Sequence, residues 1–462
     1  MHKLPFQLLI SRTSLATGQQ TITCKELLRD VPGNRQVYDA LWDGREVIVK
    51  LFSHKVHAKR HFKREWRGLT ILNQRQLSAP EPLFYGTTED SSRALVMEKI
   101  SESDTADDIF YQTEDVGKRL ELMILVSKQL AQQHRKGVLQ ADMHLGNFLL
   151  QGDRVYMTDP GQMHFYAGEL DRYKSLAQLA LLACYFSDSD TKSAKILLRE
   201  YGDARQWELG EADESYFEKQ LIVQRKKTIR RGLKKALRAS KRNIQVKSQT
   251  FFAVFSRDFC QDAESADLIR QIDTLMEKGR VLKDGNTCLV SRVTWNGKDV
   301  VIKKYKYKGF FHSLRHTIKG SRARRSWLNA QRLGMLSINT PTPLAFIERR
   351  RGRFILCSYF IAKFTDAPSL YTVLKSEDTT ESQRLEVVGK VKELIGRLGR
   401  YKITHGDLKH TNIFVAGDSL ILTDLDAMKV HKSNCAYRRG QARDMDRFEK
   451  YGQRYLAAEN KI

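Results

Sequence analysis

The sequence predicts an α+β protein of two related domains in tandem, each with an N-terminal β-rich lobe and a C-terminal helical lobe. Three observations carry this expectation. The chain of 462 residues has room for two to three domains of roughly 150–200 residues each. Hydrophobic residues at 41% and aromatics at 9% are enough to bury real cores, which excludes a mainly disordered chain. Above all, the chain resembles itself, and self-similarity at fixed order is the signature of a repeated structural unit.

In chain order, Leu41-Trp42-Asp43-Gly44-Arg45-Glu46-Val47-Ile48-Val49-Lys50 matches Thr294-Trp295-Asn296-Gly297-Lys298-Asp299-Val300-Val301-Ile302-Lys303. Each reads as two strands joined by a tight Asp-Gly or Asn-Gly turn, the second strand ending in lysine. Glu65-Trp66 and Ser326-Trp327 follow, with Leu69 and Leu72, then Ala330 and Leu333, at helical spacing. Pro80-Glu81-Pro82-Leu83 then matches Pro341-Thr342-Pro343-Leu344. A further helix is predicted in each copy, through Leu120, Met123, Ile124 and Leu130 and through Val387, Val391, Leu394 and Leu398.

The sharpest match comes next. Ala141-Asp142-Met143-His144-Leu145-Gly146-Asn147 aligns with Gly406-Asp407-Leu408-Lys409-His410-Thr411-Asn412, and Thr158-Asp159 with Thr423-Asp424. The two sets have the same internal spacing. Asp171-Arg172-Tyr173 and Asp446-Arg447-Phe448 form a weaker echo. Domain boundaries follow at 1–205 and 271–462, with 206–270 as a basic helical linker. Within it, 226–242 carries nine Lys and Arg and no acid, with Ile229, Leu233, Ala236 and Leu237 at helical spacing beneath the charge.

Lysine on a strand, glutamate on the next helix, then Asp-x4-Asn and a distant Asp are the groups phosphoryl transfer needs. Mg²⁺ takes hard oxygen ligands such as an Asn amide and a carboxylate. A second carboxylate orients, or deprotonates, the attacking hydroxyl. In order and spacing these residues resemble the protein-kinase-like fold and, more closely, the lipopolysaccharide core kinases acting on Kdo or heptose. The likeness rests on Val300-Val301-Ile302-Lys303-Lys304-Tyr305, the Arg322–Trp327 run, Pro341-Thr342-Pro343-Leu344-Ala345 and His405-Gly406-Asp407-Leu408.

The resemblance implies that Lys50 binds ATP phosphates with Glu65 pairing it, that Asp142 is catalytic, and that Asn147 and Asp159 hold Mg²⁺. Lys303, Asp407, Asn412 and Asp424 take the same roles in the second copy. There Ser326 stands where the glutamate is expected, so the first copy holds the fuller set while the second has the closer family likeness, and the missing ion pair counts against the second copy's activity. Asp171 and Asp446 would brace the Asp142 and Asp407 loops. No Gly-x-Gly-x-x-Gly loop is present; only Gly33 and Gly285 precede the paired strands, which argues against a protein kinase more than against a kinase of sugars.

The formal net charge is +25, so a polyanionic partner is expected. No helix-turn-helix, RNP-type or zinc-finger pattern accompanies the charge, which argues against nucleic acid. Six cysteines without a CxxC pair fit a reducing cytosol. The longest apolar stretch, 176–186, is half a bilayer span and reads as a core helix. With the resemblance, these features point to a cytoplasmic enzyme peripheral to a Gram-negative inner membrane, using ATP and Mg²⁺ on the lipopolysaccharide core glycolipid. Its basic helix would contact the anionic surface. The rival expectation is a non-catalytic pseudokinase scaffold.

Overall fold

The computed structural model describes residues 4–12, 18–306, 320–352 and 354–456, with the side chains of 12 and 451–456 left aside. Lys308 and Arg315, which the sequence places after the second strand lysine with further positive charge, lie outside the described residues. Contact density divides the chain between Gln224 and Arg225.

Unit 1 begins with a closed barrel in the order β1-β2-β3-β4-β6-β5. Its strands are β1 (Phe6–Arg12), β2 (Gln19–Val31), β3 (Arg35–Trp42), β4 (Arg45–Phe52), β5 (Pro82–Thr87) and β6 (Arg93–Glu98). Closure removes free edges, and Ile10, Ile22, Tyr38, Val47, Val49 and Val96 fill the interior. Asp43 and Gly44 both have positive φ (49° and 73°), the geometry a two-residue hairpin turn demands, and Trp42 pairs with Arg45 across it.

Helix α1 (Val56–Gln74) lies between β4 and β5 and buries Leu69 and Leu72 as their spacing predicts. A two-residue strand, β7 (Asp104–Thr105), leads into α2 (Ala106–Gln112) and α3 (Val116–Arg135). Thr105 and Asp115 cap these helices by accepting from Asp108 N and Lys118 N. Then come β8 (Val138–Gln140), the hairpin β9 (Phe148–Gln151) and β10 (Arg154–Met157), and β11 (Met163–Phe165), which pairs with β8. Helices α4 (Arg172–Ala183), α5 (Thr191–Arg205) and α6 (Glu211–Lys235) follow. The 176–186 stretch packs in α4 and just beyond it, where Leu176, Leu179, Leu182 and Phe186 join the core. No helix among the described residues is long and apolar enough to cross a membrane.

The region 206–270, expected as a linker, is differently built. The basic helix starts earlier and ends sooner than 226–242, because α6 spans Glu211–Lys235 and crosses the contact boundary. After it the chain makes β12 (Asn243–Lys247), β13 (Phe251–Ser256) and α7 (Asp262–Lys278). Both strands belong to the sheet of unit 2, whose order is β12-β13-β17-β18-β16-β15-β14. The others are β14 (Arg280–Gly285), β15 (Cys288–Trp295), β16 (Lys298–Lys306), β17 (Pro343–Arg351) and β18 (Phe354–Lys363). The physical reason is the run Phe251-Phe252-Ala253-Val254-Phe255, buried on both faces of a sheet and unsuited to a solvated connector.

Period-two alternation sends Ala253, Phe255, Val300 and Ile302 toward α7, while Phe252, Val254 and Tyr305 face α8 (Arg322–Gly334). Asn296 and Gly297 repeat the positive-φ turn at 47° and 73°. The helical part holds α9 (Leu370–Lys375), α10 (Glu381–Arg400) and α11 (Asn434–Leu456). Short strands complete it: β19 (Ile403–Thr404) pairs with β22 (Lys429–Val430), and β20 (Ile413–Ala416) with β21 (Ser419–Leu422).

One buried polar chain holds the helical part of unit 1 together. Arg205 donates to Tyr201 Oη at 3.0 Å, while the His134 ring meets Tyr201 Oη at 2.6 Å and Gln178 Oε1 at 2.7 Å. Gln178 in turn holds the backbone of Gln140. Burial drives the pKa of His134 down to about 3, with the nearby Arg205 charge adding to the effect. Below its unfolded value the unfolded chain binds a proton that the folded one refuses. The stabilisation is therefore complete above pH 6.5 and is lost as pH falls toward 3. Denaturant unfolding of wild type and His134→Gln across this window is expected to diverge by an amount on the order of 4 kcal/mol, with the wild type the steeper. Parallel slopes would remove His134 from the account.

Candidate functional site

Each unit carries its Asp block on the same local scaffold. In unit 1 a short 3₁₀ turn, Leu145–Asn147, follows β8, and Asn147 Nδ2 donates to Asp142 O at 2.9 Å. In unit 2 the turn is His410–Asn412, and Asn412 Nδ2 donates to Asp407 O at 2.9 Å. Thr158 N and Thr423 N reach back to Asn147 O and Asn412 O. Asp159 and Asp424 sit in the left-handed region, with φ of 56° and 59°. That conformation is uncommon for a non-glycine residue. It ends each preceding strand and starts a one-turn helix beneath α1 or α8.

The sheets supply the lysines. Lys50 on β4 lies opposite Val37 and Leu95, and Lys303 on β16 lies opposite Val290 and Phe360. The groups around these lysines differ between the units.

In unit 1, Lys50 Nζ donates to Glu65 Oε2 at 2.6 Å, the strand-to-helix ion pair that the sequence implies. A third group joins it. Arg35, on β3, binds Glu65 Oε1 through Nη1 and both oxygens of Asp159 at 3.2 and 3.1 Å. Burial raises the Asp159 carboxyl, but the Lys50 and Arg35 charges overcome it and hold the group well below the usual carboxylate range. Glu65, only 2% exposed, is pushed upward by burial despite its two cations. Gly68 lets α1 close on this loop: a Cβ there would stand 2.7 Å from the Pro160 side chain and 2.9 Å from its carbonyl. The cavity beside Lys50 and Asp159 holds about 130 Å³, below the roughly 300–1,000 Å³ of ligand pockets.

In unit 2 a cavity of about 620 Å³ opens between Lys303, Gly285, Phe364, Asp407, Asn412 and Asp424. Ser326, at the position expected for glutamate, hydrogen-bonds Tyr305 Oη at 3.0 Å and makes no ion pair. Carboxylates of the Asp424 loop meet the cations instead. Lys303 Nζ donates to Asp424 Oδ1 at 2.5 Å and lies 3.8 Å from Asp426 Oδ1. Arg322, at the start of α8, donates to Asp426 Oδ2 at 2.6 Å. Burial works against ionised Asp424, yet its hydrogen bond with Asp426 and the Lys303 charge keep it below the usual range. Asp426 is raised by burial and by that same bond. Burial disfavours ionised Lys303, but the surrounding anionic groups raise it on balance. Where Gly68 stands in unit 1, Asn329 donates to Leu425 O at 2.8 Å and Met428 O at 3.2 Å, tying α8 to the loop.

Asp407 has two cationic neighbours that sequence reasoning missed. Lys409 Nζ donates to its Oδ2 at 3.0 Å, and Arg447 Nη1 lies 3.5 Å from its Oδ1. Lys409 is visible as the lysine two residues after the aspartate, but no sequence spacing points to Arg447. The expected brace also changes. Asp171 instead caps α4, accepting from Lys174 N at 2.8 Å, and Asp446 is an exposed residue of α11. Asp444 holds the loop, accepting from His405 N at 2.7 Å and Gly406 N at 2.8 Å; Gln178 does this in unit 1. Gly406, with φ 83°, packs where a Cβ would stand 2.5 Å from Ala427 O. Buried His405 donates through Nε2 to Thr423 O at 2.8 Å, linking the two aspartate loops.

The donor sets differ in their fitness for a divalent cation. Asn412 spends its amide hydrogens on Asp407, leaving Oδ1 for a metal, and Asp424 is a strongly ionised carboxylate at the edge of an open cavity. These residues fit Mg²⁺. In unit 1 both oxygens of Asp159 are taken by Arg35, so the set does not fit.

Strand lysine, loop aspartate, asparagine and a second aspartate line one cavity of unit 2. A sequence model of the lipopolysaccharide kinase (Kdo/WaaP) family matches residues 273–460, from within α7 through α11. This match supports a kinase. No curated protein matches the chain.

The brace has a measurable consequence. Asp444→Ala leaves two loop amides without their charged acceptor and is expected to lower the stability of unit 2 by about 3 kcal/mol. Exposed Asp446→Ala should stay within about 0.5 kcal/mol of wild type. Equal losses in thermal unfolding would return the role to Asp446.

Proposed function

We propose that the protein is an ATP-dependent phosphotransferase that phosphorylates a sugar hydroxyl, on heptose or Kdo, of the lipopolysaccharide core. Its two units would be tandem copies of one kinase-like fold, with the reaction carried out in unit 2. The observation that carries this reading is the open cavity joining Lys303, Asp407, Asn412 and Asp424, inside the segment that matches the family model. The departure at Ser326 does not count against it, because Asp424 and Asp426 take over the pairing of Lys303.

In this mechanism Asp407 accepts a hydrogen bond from the acceptor hydroxyl, aims its oxygen at the γ-phosphorus and takes up its proton as the oxygen attacks. Lys303 holds the nucleotide phosphates, and Lys409 reaches the phosphoryl group in transfer. Arg447, beside Asp407, favours an acceptor that is itself anionic. Asn412 and Asp424 would hold Mg²⁺, which supplies positive charge between the phosphates when bound. The new bond joins the acceptor oxygen to phosphorus, the bond from phosphorus to the β–γ bridging oxygen breaks, and the leaving group is ADP.

Unit 1 supports a different role. Lys50, Glu65, Asp142, Asn147 and Asp159 form the fuller set by residue type, but Arg35 neutralises the Asp159 carboxylate that a metal would need. We read unit 1 as non-catalytic, so the pseudokinase alternative applies to half of the molecule. The positive charge of 226–242 would draw the protein to the anionic cytoplasmic face of the inner membrane, at about 1 kcal/mol per Lys or Arg near the surface. ATP-dependent phosphate incorporation into isolated lipid A–core measures the proposed reaction.

Lys303→Met, Asp407→Ala and Asp424→Ala are each expected to lower kcat at least 100-fold, while Asp142→Ala and Asp159→Ala change it less than threefold. Loss of activity in Asp142→Ala alone would move the reaction to unit 1. In a chain carrying Asn412→Ala and Asp424→Asn, bound Mn²⁺ counted by electron paramagnetic resonance should be absent. Adding Arg35→Met should restore one ion per chain. An unchanged count would show that Arg35 is not what excludes the metal.

A further inference from the structure

Beside the second half of α6, unit 2 has a groove of about 500 Å³ that shares no lining residue with the Lys303 cavity. Its floor is apolar: Ile229 and Leu233 from α6, Leu237 just after it, and Leu328, Ile403 and Val430 from other elements. Its rim is cationic, from Lys226, Lys227, Arg230 and Lys234 on one side and Arg332 of α8 on the other. Among the described residues no carboxylate pairs with any of these five.

Arg332 is the informative one. It is only part-exposed, its hydrogen bond goes to the neutral side-chain oxygen of Asn329, and burial lowers its pKa with no anionic group opposing. Lys226, whose ammonium lies 5.9 Å from the centre of the Tyr401 ring, is lowered by burial and by the nearby Lys402 charge. A guanidinium taken partly out of water and left without a counter-charge normally has a partner. A basic face that only faced solvent would not need an apolar trough behind it. Phosphate alone would satisfy the rim and leave the floor wet, and a neutral acyl chain would fill the floor and leave the rim repelling itself.

We propose that this groove binds a single molecule of an anionic phospholipid, with the phosphate between Arg332 and the Lys226–Arg230 edge and the start of an acyl chain along Leu233, Leu328 and Ile403. The inference deepens the membrane-docking part of the proposed function and rests on it. It replaces diffuse attraction with one stoichiometric site. It is independent of catalysis, because the groove and the Lys303 cavity are separately lined.

The test is isothermal titration of the full chain with dihexanoyl phosphatidic acid kept below its micelle concentration. One saturable site per chain is expected, with Arg332→Gln and Leu233→Glu each weakening it at least tenfold. Leu233→Ala serves if the glutamate variant loses its circular dichroism. Nucleotide binding at the Lys303 cavity should be unchanged in all three. Equal affinity for inorganic phosphate, or for dihexanoyl phosphatidylcholine, overturns the proposal by removing the chain or the charge from recognition. A second outcome also overturns it while leaving membrane docking intact. In it, vesicles of phosphatidylcholine with one-fifth phosphatidylglycerol bind Leu233→Glu as well as wild type and lose only a variant with Lys226, Lys227, Arg230 and Lys234 changed to Gln. Concentration-dependent dimerisation abolished by Leu233→Glu would assign the groove to a second copy of the chain instead.

Discussion

A part-buried carboxylate beside a sheet must be neutralised, and the identity of the neutralising cation governs what each half of this chain can bind. Asp424 meets Lys303, a flexible point charge that can exchange one anionic partner for another. Asp159 meets Arg35, whose planar guanidinium grips both oxygens and also reaches Glu65. The first arrangement leaves an accessible carboxylate at the edge of a cavity. The second closes a charge network beside a cavity of only about 130 Å³. Other differences follow from this choice. Where Arg35 and Lys50 share Glu65, a helix glutamate is retained. Where Arg322 and Lys303 draw on Asp426, the helix position can become Ser326 and spend its hydroxyl on Tyr305.

Much of this was legible in the sequence. The two hairpins, the strand lysines, the helices carrying Leu69, Leu72, Ala330 and Leu333, and the aspartate loops follow from turn chemistry and periodicity, which are local. The Lys50–Glu65 pair came instead from what the kinase resemblance implies. What was not legible depends on side chains meeting over long separations. Arg35 looks like an ordinary strand residue next to a turn, and its partners stand 30 and 124 residues away. Asp444 and Asp446 differ by two positions in one helix, so the facing residue is set by a helix phase that an exposed basic sequence does not reveal. In 206–270 the density of positive charge drew attention from a five-residue apolar run, which is a strand signal in its own right.

The two units also illustrate how far a residue inventory can mislead. By type, unit 1 has every expected group and unit 2 lacks one, yet of the cavities beside Lys50 and Lys303 the wider is in unit 2, where no arginine clamps the second aspartate. Residue type tells which charges are present. Only the geometry tells which of those charges are already spent on each other.

The β12–β13 hairpin bears on how unit 2 can be handled in isolation. The family match starts at residue 273, inside α7, and a fragment cut there would discard both strands and most of that helix. Residues 251–255 pair with residues 345–349 of β17. Without them β17 becomes an edge, its backbone groups unpaired beside the apolar stretch Ala345-Phe346-Ile347, and such an edge is a template for intermolecular strand addition. The smallest self-contained piece of this half therefore begins near Arg225, and shorter fragments would be prone to precipitate for reasons unrelated to their chemistry.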